Sequence, residues 1–397
     1  MLLPVDHRTT ALTAHNAAEA LPADRPRNRK LAHLQVLRGL AASLVVVDHS
    51  LERLVYLGAL GEDWLPRAYL SGWLGVATFF VISGLIMYRT SADDFGAPGA
   101  AVRFSSRRLI RVVPMYWIAT FAVVLGKLVS DSGITLRHLW MSLFFVPYAE
   151  GGESVMRPLL GVGWTLNYEM GFYLLFALAL TLPARWSLRV LLLTLPALVA
   201  LGGLSHSLLN WVDPTTWLGF YTSPLILLFA AGVALGYFET HARRWPSVRR
   251  PVTVAAALLA AGSALSVLFS VRFPLPLPQQ AALGLVCLAA VAACTSRADV
   301  PTSRLVRVLE RVGDASYSTY LFHIFIVVAI GEAWSHISPH IPGPLGSVVF
   351  LLTVVLAANV AGRVMFTSVE RPLTRWLRQS FPAMDGKQVP ERLGVAA

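Results

Sequence analysis

The chain has 397 residues, of which 55% are hydrophobic and 14% charged, with a formal net charge of +11. An average soluble domain carries about 25% charged residues, so this composition points away from an ordinary soluble enzyme and towards a surface that faces lipid. The basic residues fall in short runs between long apolar segments, the distribution expected of positive-inside topology rather than of a nucleic-acid-binding face, and no nucleic acid is expected as a partner.

Residues 1–30 are polar, rich in Ala, Pro and Arg, and have no apolar core. They are therefore not a signal peptide and are expected to form a disordered cytoplasmic arm. A transmembrane helix needs about 20 mostly apolar residues, and such segments occur at about 34–56, 71–88, 110–130, 164–182, 188–204, 217–237, 252–271, 279–296, 316–334 and 345–367. The expected fold is all-α, a polytopic membrane bundle of about ten transmembrane helices over residues 31–380, with a cytoplasmic tail at 381–397. An apolar stretch at 138–148 is too short to cross and is expected to be re-entrant or interfacial.

Arginines cluster before the first span (Arg25, Arg27, Arg29), between the second and third (Arg103, Arg107, Arg108), between the sixth and seventh (Arg243, Arg244, Arg249, Arg250) and after the tenth (Arg371, Arg375, Arg378). The intervening loops are poorer in cations. This alternation predicts both termini on the cytoplasmic side. No duplicated half supports an inverted-repeat transporter.

Ionisable residues inside a span are functional candidates. The first span holds Arg38, Asp48 and His49. Eleven positions at about 100° each bring His49 back to nearly the face of Arg38, about 16 Å along the axis. That stripe suits an anion held by Arg38 at the cytoplasmic mouth and proton transfer at a deeper His49. Alternatively, Arg38 is a topology anchor and His49 a satisfied core histidine. Asp48 lies off the stripe and either orients His49 or pairs with a neighbouring helix. In the second span, Ser83-Gly84 reads most simply as a close-packing site.

The third span opens with Arg108 and Arg111 one turn apart on one face. Two guanidiniums presented together suit a phosphate-bearing ligand, or serve as a positive-inside anchor. Trp164-Thr165-Leu166-Asn167-Tyr168-Glu169 opens the fourth span, with Glu169 and Tyr173 one turn apart. Glu169 suits sugar hydroxyls or an arginine; an interfacial aromatic belt with a solvated acid is the alternative. Cys287 and Cys294 share one apolar segment and read as small buried hydrophobes; no zinc spacing occurs, and no metal is expected. Ser316, Tyr320 and His323 share a face of the ninth span, as a polar seam or as helix-to-helix hydrogen bonding. Glu370-Arg371-Pro372 closes the tenth. No P-loop, dinucleotide fingerprint, His-Glu-x-x-His or Gly-x-Ser-x-Gly motif is present.

Taken in order, these elements resemble acyltransferase family 3, integral-membrane acyltransferases that decorate bacterial surface polysaccharides and other acceptors. The resemblance rests on Leu37-Arg38-Gly39-Leu40 with ten residues between Arg38 and His49, on Phe79-Phe80-Val81-Ile82-Ser83-Gly84, and on Arg108-x-x-Arg111 with Pro114 and Tyr116. It continues through Trp164-Thr165-Leu166 to Glu169 and Tyr173, Ser316-Tyr317-Ser318 to His323, and Glu370-Arg371-Pro372. It runs from about Leu34 to Leu377 and is nearest the subgroup associated with exopolysaccharide production. Many relatives have an acid after Gly75-Val76, where this chain has Ala77, so no role of that acid carries over. Nor is a further extracytoplasmic domain expected after Pro372.

The resemblance implies a bacterial inner-membrane enzyme that takes an acyl group, usually acetyl, from acyl-CoA and passes it to a hydroxyl of a polysaccharide or a lipid-linked glycan. It implies His49 as base or transient acyl carrier, with Arg38 and Glu169 in the catalytic set. Arg38, Arg108 and Arg111 would hold acetyl-CoA, and Trp164, Tyr173, His323 and Glu370 would bind the acceptor. A small-molecule or lipid acceptor stays open, as do a polysaccharide transporter or export component and a non-catalytic assembly partner.

Overall fold

The computed structural model describes residues 26–130, 133–149, 156–209, 215–242, 275–296, 303–337 and 343–381, and among them all regular structure is helical. Helix α1 is Pro26–Tyr56, α2 Leu65–Ser91, α3 Ala100–Val129, α4 Leu136–Leu143, α5 Trp164–Leu180 and α6 Ala184–Leu209. The short α7, Trp217–Tyr221, leads into α8, Leu227–Ala242. Then come α9 Leu277–Ser296, α10 Arg304–Asp314, α11 Ser316–Ile337, α12 Pro344–Met365 and, after a π turn at Phe366–Glu370, α13 Arg371–Ser380.

Eight helical segments among the described residues are long and apolar enough to cross a bilayer: Ala32–Tyr56, Glu62–Ser91, Ala100–Val129, Ala184–Ser205, Trp217–His241, Leu277–Thr295, Ser316–Ile337 and Pro344–Ser380. The fourth segment expected from the sequence is α5, an apolar helix of 17 residues. The expected span at 252–271 lies outside the described residues. So do most of the expected arm and nearly all of the expected tail, although α1 begins at Pro26, within that arm, with proline at the first helical position it favours. Helix α3 starts ten residues before the expected 110. Its first turns carry Arg103, Arg107 and Arg108, which hydropathy discounts although they are helical. The 138–148 stretch overlaps α4, which starts two residues earlier at Leu136, runs for eight residues, is capped by Thr135 and is followed by a turn in which Phe145 has φ 58°.

A lipid-facing surface is explicit on α12, where Leu345, Val348, Leu352, Leu356, Val360 and Val364 are all exposed. Their spacing of three and four residues makes one apolar stripe. Inside the bundle, helices approach through glycine. A methyl group on Gly84 of α2 would lie 2.2 Å from the Phe229 carbonyl of α8, and one on Gly232 would lie 2.1 Å from the Val81 carbonyl. This reciprocal close approach is the small-residue packing of membrane helices. It seats a chain of aromatic rings, Phe80 on Phe229 at 4.3 Å, Phe229 on Phe172 at 4.4 Å and Phe104 on Phe176 at 4.9 Å. These rings fix α2, α3, α5 and α8 around the region described next.

Candidate active site

Helices α1, α2, α3, α5 and α11 wall a cavity of about 100 Å3. Its charged lining is Arg38 from α1, Arg108 and Arg111 from α3, and Glu169 from α5, with Ser83, Tyr173, Tyr317 and Tyr320 beside them. The helical period explains the grouping: Arg108 and Arg111 stand one turn apart, as do Glu169 and Tyr173, so each pair faces one way.

The carboxylate is held by hydroxyls. Ser83 donates to Glu169 Oε1 at 2.9 Å and Tyr173 donates to the same oxygen at 2.5 Å. The arginines are held differently. Arg38 donates to Gln35 Oε1 at 3.0 Å, and the Arg108 guanidinium lies 5.7 Å from the Phe104 ring and 5.8 Å from the Tyr173 ring. Among the described residues none of Arg38, Arg108 and Arg111 forms an ion pair with a carboxylate. Three guanidiniums therefore converge on one cavity with donor capacity that no protein anion takes up. Glu169 and Glu370 lie near enough to act on Arg38 electrostatically, but the three cavity guanidiniums outnumber these two carboxylates and ion-pair with neither. Unpaired buried charge is costly, so the arrangement suits a multiply charged anionic ligand gripped bidentately.

On the side of His49 the cavity is lined by Tyr320. Tyr320 donates to the Val162 carbonyl at 2.7 Å and bonds the Thr165 hydroxyl at 2.6 Å, and Phe79 packs edge-on against its ring at 6.0 Å. One turn further along α11, His323 is fully buried and its Nδ1 donates to the Tyr320 carbonyl at 2.7 Å. His49 stacks on His323 with ring centroids 5.2 Å apart and planes at 18°. Arg38 and His49 thus share a helix face, as the period requires, but Arg38 stands on the cavity wall and His49 behind the Tyr320–His323 layer.

His49 has a partner that the sequence reading did not single out. Glu52 Oε2 lies 2.7 Å from His49 Nδ1. The signal was present in the i, i+3 spacing on one helix face, but Glu52 sits near the end of the span, where an acid reads as interfacial. Asp48 takes neither expected role cleanly. Its buried side chain lies against Gly72 of α2, where an added methyl would come within 1.9 Å of its Oδ2, and its Oδ1 has no hydrogen-bond partner among the described residues.

The cavity therefore gathers Arg38, Arg108, Arg111, Glu169 and Tyr173, and does not include His49, Trp164, His323 or Glu370 in its lining. Trp164 packs edge-on to Tyr168. Glu370, buried at the π turn, accepts a hydrogen bond from Ser318 at 2.6 Å. Among the described residues no three His, Cys, Asp or Glu side chains gather as a metal site.

A family model described as an acyltransferase domain matches residues 31–362. The chain is 34% identical over 307 residues to the exopolysaccharide production protein ExoZ of Rhizobium meliloti (strain 1021), covering 77% of this chain and 90% of that protein. It is 27% identical over 395 residues to nodulation protein 10 of Rhizobium leguminosarum bv. viciae, covering 92% and 96% respectively. It is 24% identical over 386 residues to O-acetyltransferase OatA of Staphylococcus aureus (strain NCTC 8325 / PS 47), covering 87% of this chain and 58% of that protein. No solved structure matches the chain.

Proposed function

Because the chain belongs to acyltransferase family 3 and is on that ground an O-acyltransferase, we propose that it transfers acetyl from acetyl-CoA to a hydroxyl of an exopolysaccharide or of its lipid-linked precursor. The observation that carries the donor assignment is the convergence of Arg38, Arg108 and Arg111 on one cavity with no carboxylate of the described residues within ion-pair distance of them. Acyl-CoA bears its phosphates at one end of an extended arm and its thioester at the other. With the phosphates on the arginines, the thioester end is the part that reaches past the Tyr320 layer towards His49, about 16 Å along α1.

A sugar hydroxyl is a weak nucleophile and needs a base in the transition state. In the proposed step, His49 Nε2 takes the hydroxyl proton as the acceptor oxygen bonds to the thioester carbonyl carbon. The carbon–sulfur bond then breaks, and the leaving CoA sulfur takes the proton back from Nε2. Glu169, held by Ser83 and Tyr173, tempers the positive charge of the donor cavity, Tyr173 borders it, and Trp164 lies outside its lining. His323 supports the base through the ring stack. Glu370, bonded to Ser318 on α11, acts electrostatically on Arg38 and Arg111 and so belongs with the donor side in this reading rather than with the acceptor. In this reading the protein sits in the bacterial inner membrane with both termini cytoplasmic, as the alternation of arginines supports, and the arginine cavity opens to the side that supplies acyl-CoA.

The test compares surface glycans of host cells carrying the wild-type gene, a deletion or His49→Ala, by mass analysis. The wild-type gene restores the acetyl mass increment and His49→Ala does not, its transfer falling about 10²- to 10⁴-fold. Glycans that are identical in all three strains would rule out the acceptor class. Purified protein that releases no CoA thiol from acetyl-CoA in the presence of such glycan would rule out the donor.

A further inference from the structure

We propose that Glu52 is the positioning residue for His49, fixing the imidazole with its proton on Nδ1 and its lone pair on Nε2. The inference rests on the reading of His49 as the base. A carboxylate only accepts hydrogen bonds, so at 2.7 Å from Glu52 Oε2 the His49 Nδ1 is the donor. The distance is that of a charge-assisted bond, and both residues stand on one helix three positions apart, so the bond does not depend on how neighbouring helices pack.

A second restraint acts on the same ring. His323 covers one face at 5.2 Å and 18°. His323 is itself fixed by full burial and by its bond to the Tyr320 carbonyl. With one edge tied and one face covered, the Nε2 edge is left to meet an acceptor, and the His49 side chain keeps 25% exposure. The other charged or titratable groups around the ring come from every side: Asp48 on α1, Tyr69 on α2, where it hydrogen-bonds Glu52, and Arg157 in the segment before α5. Asp48 is not a rival for Nδ1, because its carboxylate is turned against Gly72. When Nε2 takes the acceptor proton, the resulting imidazolium has the Glu52 carboxylate already in contact, the orienting and charge-stabilising logic of a histidine held by an acid. Glu52 does not touch the reacting atoms and acts only through His49.

The experiment uses the purified full-length protein in detergent, with acetyl-CoA as donor and thiol release as readout, and membrane vesicles for transfer to endogenous glycan. Glu52→Ala removes the acceptor oxygen and the charge; Glu52→Gln keeps an acceptor oxygen in the same shape. The expected kcat for Glu52→Ala falls about 10- to 100-fold, the loss typical of an outer partner of a working histidine, with KM for acetyl-CoA unchanged. Glu52→Gln falls between Glu52→Ala and wild type, and the double variant with His49→Ala is no slower than His49→Ala alone. A wild-type kcat in Glu52→Ala, an additive loss in the double variant, or a Glu52→Gln that raises KM and leaves kcat intact overturns the positioning role. If His49→Ala itself keeps the wild-type rate, the base assignment falls instead. The isosteric Gln variant decides the matter if Glu52→Ala fails to elute as a folded species.

Discussion

Arg108 and Arg111 differ from Arg53, Arg67 and Arg89 in where their charge is spent. Arg53, Arg67 and Arg89 each meet a carboxylate, at 3.0, 3.4 and 3.5 Å, whereas the cavity arginines face Gln35, aromatic rings and open space. A charge-assisted hydrogen bond contributes about 1.5–3 kcal/mol, so Arg111→Ala is expected to raise the KM for acetyl-CoA about 10- to 100-fold. Steady-state kinetics at fixed acceptor checks this, and an unchanged donor KM in both Arg108→Ala and Arg111→Ala would count against phosphate binding. At this scale the sequence was readable wherever helical spacing carried the message. Arg108 with Arg111 and Glu169 with Tyr173 are such pairs, and each occupies one face as their spacing requires. Partners from distant helices were not readable. Ser83 looked like packing filler beside Gly84, and only the meeting of α2 with α5 makes it a donor to Glu169. Likewise, nothing in the spacing of Arg38 and His49 reveals that Tyr320 and His323, from a helix far along the chain, stand between them.

At the scale of elements, α2 and α8 approach each other reciprocally through Gly84 and Gly232. Adding a methyl group to such a contact forces the backbones apart, at a cost of about 1–3 kcal/mol. Gly84→Ala and Gly232→Ala are each expected to lower the thermal unfolding midpoint in detergent. Gly126→Ala, where an added methyl meets nothing within 4 Å, is expected to leave it unchanged or slightly raised, because alanine favours the helix. Equal midpoints for all three would mean that α2 and α8 do not bear on each other as described. The helices were legible because a bilayer demands long apolar runs, a cruder and stronger requirement than any packing rule. Their ends were less so: the early start of α3 and the π turn at Phe366–Glu370 depend on charged or polar residues whose helical state is set by neighbours.

For the molecule as a whole, the outward stripe of α12 and the alternation of arginines assign lipid and water to different surfaces. A reporter enzyme fused after Ala397 is expected to be active only in the form that reports the cytoplasm. A reporter active outside would reverse the proposed orientation and place the arginine cavity away from its donor. A second consequence follows from the layer of Phe79, Thr165, Tyr320 and His323. The Tyr320 hydroxyl is occupied by Val162 and Thr165, and the Nδ1 proton of His323 by the Tyr320 carbonyl. Those bonds hold the ring in place, so Tyr320 must release both partners before it can turn aside. On the proposed route the thioester passes only when that layer yields, so each turnover is expected to carry the cost of breaking and remaking those hydrogen bonds.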